Sequence, residues 1–70
     1  MVEVFKTNIQ DSQLAATIIQ ELEKHFPEAK INFDLNDCDN ILRIEHHENV
    51  IENVFHVFEN LGHFCEILVD

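Results

Sequence analysis

The chain is poor in residues that interrupt regular structure. It has one glycine, Gly62, and one proline, Pro27, in 70 residues. Long irregular loops and low-complexity disorder draw on both, so their scarcity predicts regular elements joined by short turns. Trp and Tyr are absent, and six Phe supply all the aromatic character. Two cysteines, Cys38 and Cys65, are too few to staple a small secreted scaffold. No apolar run approaches the length needed to span a bilayer. Met1-Val2-Glu3-Val4-Phe5 is too short and too acidic for a secretory leader. The expectation is a cytoplasmic protein with reduced thiols. Cations are scarce as well: four Lys and Arg stand against fourteen Asp and Glu, a net charge of −10. Such a surface repels phosphate backbones and anionic lipid, which argues against nucleic-acid and membrane binding. It favours solubility, and it can steer toward a basic partner or a cation.

Hydrophobic residues make up 46% of the chain, enough for one domain over residues 1–70. A core of this size supports only about 3–5 kcal/mol of stability. Val2 and Val4 alternate with Glu3 and Phe5, the period of a half-buried strand through Lys6. Asp11 or Ser12 can cap the helix that follows. Leu14, Ala15, Ile18, Ile19, Leu22 and Phe26 then form an apolar stripe, and Pro27 ends it. Ile31, Phe33 and Leu35 alternate with polar residues in a second strand. Asn36-Asp37-Cys38-Asp39-Asn40 has turn chemistry, and Leu42 and Ile44 alternate with Ile41, Arg43 and Glu45 in a third strand, completing a hairpin. Asn49 with Glu52 reads as a capping box for a second helix carrying Val50, Ile51, Val54, Phe55, Val57, Phe58 and Leu61. Gly62 falls where a left-handed residue closes a helix. Phe64 to Val69 reads as a fourth strand.

Strand–helix–strand thus occurs twice. The predicted fold is α+β, a ferredoxin-like βαββαβ sandwich. Its four-stranded antiparallel sheet has the order 4-1-3-2, with both helices on one face. That topology gathers Thr7–Ser12, Cys38, His63 and Cys65 at one end. It sends His25, His46 and His47 to the other.

Three stretches carry a family resemblance that extends over the whole chain. They are Phe26-Pro27-Glu28-Ala29-Lys30-Ile31, Ile51-Glu52-Asn53-Val54-Phe55, and Leu61-Gly62-His63. The chain resembles the heavy-metal-associated domains of copper chaperones and metal-pumping ATPases. The resemblance implies the same fold. In that family a Met-x-Cys-x-x-Cys loop after the first strand binds a soft metal. The equivalent stretch here is Thr7-Asn8-Ile9-Gln10-Asp11-Ser12, with no Cys, His or Met, so no ligand carries over.

The expected function is a non-enzymatic binding module without a cofactor. There is no Ser–His–Asp pattern and no phosphate loop, and a domain this small has little room for a pocket around a Cys65–His63 pair. By alternation, the sheet face away from the helices should carry Glu3, Phe5, Ile41, Arg43, Phe64 and Leu68. Such an apolar patch marks a contact surface for a second copy or another protein. The edge of the fourth strand, Ile67-Leu68-Val69, is a further pairing site. The alternative is a metal-binding protein holding Cu(I) or Zn(II) on Cys38, His63 and Cys65. His46 and His47 with Glu45 and Glu48 form a second polar cluster, in which His25 could join and histidine titration could act as a switch. A small-molecule regulatory role rests on fold analogy alone.

Overall fold

The structure, a computed structural model, describes residues 1–36 and 40–68. Six elements follow in the predicted order: β1 (Val2–Thr7), α1 (Ser12–His25), β2 (Lys30–Asp34), β3 (Ile41–Glu45), α2 (Ile51–Asn60) and β4 (Cys65–Ile67). The sheet runs β2-β3-β1-β4, which is the expected order read from the other edge, and every pairing is antiparallel.

Local chemistry explains the boundaries. Asp11 caps α1, its Oδ1 accepting the Gln13 N–H at 2.8 Å. Ala15, Ile18 and Leu22 bury the inward stripe, and α1 stops at Phe26, one residue before Pro27. At α2 the N-cap residue is Val50, not Asn49, and its side chain makes no capping bond. Asn49, one residue earlier, accepts from Ile51 N at 3.0 Å through its Oδ1, two residues on and not the three that the expected capping box requires. The far end is a complete Schellman closure. Gly62 takes φ +75°, His63 N donates to Phe58 O at 2.8 Å, and Gly62 N donates to Glu59 O at 3.0 Å.

The core lies between the helices and one face of the sheet. Ile18 and Leu22 of α1 and Val54 and Phe58 of α2 meet Phe5, Leu42 and Ile44, all with at most 1% of their surface exposed. Ile31 and Phe33 point the same way but remain half-buried, since β2 is an edge strand. β4 is shorter than expected. Phe64 and Leu68 only extend it, through bonds from Asn8 N to Phe64 O (3.3 Å) and from Leu68 N to Val4 O (2.9 Å). Cys38, between β2 and β3 in the sequence, and Val69 lie outside the described residues.

The register corrects one sequence-based expectation. Glu3 and Phe5 lie on the helix side of β1, opposite Ile44 and Leu42, and not on the open face. Phe5 is fully buried and stands edge-to-face against Phe55, with centroids 6.0 Å apart at 84°. Val2 and Val4 point outward instead. Alternation shows which residues share a side but not which side is buried. One Phe removes more apolar surface from water than a Val, and Thr7, two residues on, bonds on that side to Asn40 O and Ile9 N.

Candidate functional site

The open face is built by the other alternation of each strand. Across β2, β3 and β1 it presents Lys30 beside Glu45 beside Val2, then Asn32 beside Arg43 beside Val4, then Asp34 beside Ile41 beside Lys6. On β4, Glu66 sits opposite Lys6, and Leu68 bonds to Val4. Phe64 stands at the rim and is 60% exposed; Val2 is 53% exposed and Leu68 36%. Val4 and Ile41 are half-buried between charged neighbours. Of the residues expected on this surface, Ile41, Arg43, Phe64 and Leu68 are there and Phe5 is not. Val2 and Val4 take its place; alternation puts the two on one side of β1 but does not tell which side is open. The β4 edge is a weaker candidate: its regular pairing covers only Cys65–Ile67, and short edge strands discourage further pairing.

The loop after β1 is folded inward. Ile9 is fully buried. The Thr7 hydroxyl donates to Asn40 O at 2.7 Å and accepts from Ile9 N at 3.2 Å, tying this loop to the start of β3. Asn8 ties it to the start of β4: its Oδ1 accepts from Phe64 N at 3.1 Å. Among the described residues no buried side-chain polar atom lacks a partner. The sequence did place Thr7, His63 and Cys65 at a common end. Thr7 and Cys65 are register partners. His63 is half-buried next to Phe64. Among the described residues no three His, Cys, Asp or Glu side chains converge to hold a metal. Cys38 lies outside those residues.

Cys65 is 8% exposed, and burial, with the nearby Glu59 carboxylate second, pushes its thiol up to about 11. At neutral pH the sulfur keeps its proton, which opposes a nucleophilic role. In a Cys38→Ser variant, thiol alkylation at pH 8 is expected to be about 100-fold slower in the folded protein than in denaturant. Equal rates would show that Cys65 is open to solvent. The same shift affects stability. The folded state holds this proton above the pH at which the unfolded chain releases it. Its contribution is intact below about pH 9 and is lost as pH rises through about 11, on the order of 2 kcal/mol. A Cys65→Ala variant should lack this alkaline decline.

At the opposite end β3 stops at Glu45, so His46 and His47 do not alternate across a strand. Their rings stack with centroids 4.3 Å apart, and Phe26 lies 5.0 Å from His46. His46 Nδ1 accepts the Glu48 N–H at 3.1 Å, and His47 Nε2 lies 3.5 Å from the Glu48 carboxylate. The Met1 ammonium donates to His46 O at 2.9 Å. Nδ1 of His46 is thus committed to a backbone N–H, and the stacked pair sits at the end of the sheet.

A groove of about 450 Å³ between α1 and β2 is lined by Ala15, Ala16, Ile19, Phe33 and Leu35, with Ser12, Asn32 and Asn36. None of the described residues that line it is ionisable.

Among the described residues no helix is long and apolar enough to cross a membrane. Comparison with models of known protein families finds no match, and comparison with curated proteins finds none either.

Proposed function

We propose that the chain is a non-enzymatic interaction module that binds protein through its open sheet face. Its scaffold resembles a heavy-metal-associated domain whose ligand loop has become part of the core. The observation that carries this reading is the open face itself. Val2, Val4, Ile41 and Leu68 lie on a surface no helix covers, with Phe64 at its rim. Val2, Leu68 and Phe64 are exposed and Val4 and Ile41 half-buried, and apolar surface grouped in this way marks interaction sites.

The test compares immobilised wild type with Val4→Lys, Ile41→Lys and, as control, Glu23→Lys on the exposed side of α1. Bound protein should be lost from the two face variants and kept by the control. Equal capture by all would overturn the reading. Native mass spectrometry with Zn(II) and Cu(I) separates it from the metal-binding alternative. One metal per chain, lost in Cys38→Ser or Cys65→Ser, would move the function to Cys38, His63 and Cys65.

A further inference from the structure

The charge of this protein is unevenly distributed. Of fourteen acidic residues, Asp37, Asp39 and Asp70 lie outside the described residues, and three, Asp34, Glu45 and Glu66, lie on the open face. Three of the four cations, Lys6, Lys30 and Arg43, lie on the same face. Among the described residues the face is therefore balanced. The other described residues carry eight carboxylates against Lys24 and the Met1 ammonium.

The balance is also local. Lys30 stands directly across from Glu45, and Lys6 across from Glu66. Arg43 faces Asn32, with Asp34 at the diagonal position. Cross-strand neighbours of opposite charge offset one another at these spacings. Between them run Val2, Val4, Ile41 and Leu68.

Such a face selects its occupant. A polyanion meets no net positive charge there. A strongly basic protein is drawn to the acidic surface elsewhere on the molecule. What fits is a surface with its own balanced charges and its own apolar strip. We propose that the occupant is a second copy of this chain, stacked sheet on sheet. The proposal rests on the reading of the open face as an interaction surface and names its partner. The balanced face is the described surface across which two copies, each of net charge −10, approach with least repulsion.

The size of the face sets the strength. Four strands about 4.8 Å apart and about five residues long give a footprint of roughly 19 by 17 Å. That is below the roughly 800 Å² per partner of a standard interface, so the dimer belongs to the weak, reversible class. Its salt response is distinctive. Two acidic bodies repel through the solvent around the contact, and salt screens that repulsion. Raising NaCl from about 20 to about 500 mM should tighten the dimer by about tenfold or more, whereas a complex between oppositely charged proteins would loosen.

Sedimentation equilibrium of the purified, reduced protein across protein and salt concentration tests this. The expected result is a monomer–dimer equilibrium that tightens with salt. Phe64→Lys should weaken it at least several-fold and Val4→Lys about tenfold or more, and Glu23→Lys should not weaken it. Circular dichroism confirms that each variant is folded. Val4 and Phe64 are both outside the core, so two independent variants are available. Three results would overturn the second-copy proposal: a monomer under every condition, a dimer that salt dissolves, or a dimer indifferent to both face variants. Face-dependent capture of another protein by a monomeric chain would leave the interaction reading standing without self-association. Failure of both experiments would remove both.

Discussion

Alanine at Phe5 should leave a large share of the protein unfolded at 25 °C. Phe5 sits mid-strand on β1, fully buried, opposite Leu42 and edge-to-face with Phe55. Truncating a buried Phe costs about 3–5 kcal/mol, because transfer energy is lost and a cavity remains. A 70-residue domain has about that much stability in total. Alanine at Phe64, 60% exposed, should cost no more than about 0.5 kcal/mol. Denaturant titration followed by circular dichroism compares the two. A Phe5→Ala midpoint close to wild type would mean that β1 presents the opposite side to the helices. The open face described above would then be misassigned residue by residue.

That contrast marks where sequence pattern stops being informative. Elements with a one-sided chemical signal were legible. The α1 stripe has a single apolar side, Asp11 is a strong cap, Pro27 forbids continuation, and Gly62 is the residue that takes φ +75° without strain. From these the order of elements and the sheet topology follow. β1 gave no such signal. Each of its sides holds apolar and charged residues, Val2, Val4 and Lys6 on one and Glu3 and Phe5 on the other. Only tertiary packing decides between them.

The candidate surface was legible in part for the same reason. Ile41 and Arg43 could be placed because Leu42 and Ile44 leave β3 one clear apolar side. The distribution of charge could not be read at all. A net charge of −10 is visible in the composition, but the gathering of Lys6, Lys30 and Arg43 on one face appears only once the register of three strands is fixed. Nor does any local pattern show that Ile9, a lone apolar residue in a polar loop, is buried as deeply as any strand residue.

An aspartate at Ile9 should be about as damaging as alanine at Phe5, and more informative. Ile9 has no exposed surface, and its N–H bonds to the Thr7 hydroxyl, which also holds Asn40 of the neighbouring turn. A carboxylate cannot occupy that position ionised without a partner. Either it stays protonated or the loop swings out. If the loop leaves, Asn8 releases Phe64, and β4, which among the described residues has three register pairs with β1, loses its anchor. The expected cost is about 4 kcal/mol or more, against about 0.5–1.5 for Ile9→Val. Amide exchange locates the damage. In urea too dilute to unfold wild type, Ile9→Val should retain protection at Leu68, whose N–H bonds to Val4. Ile9→Asp should lose it first there and at Phe64, because these bonds depend on β4 staying docked. Wild-type stability and exchange in Ile9→Asp would mean that this loop already stands away from the core. That posture would suit a ligand-binding loop, and it would return attention to the end of the sheet where Thr7, His63 and Cys65 meet.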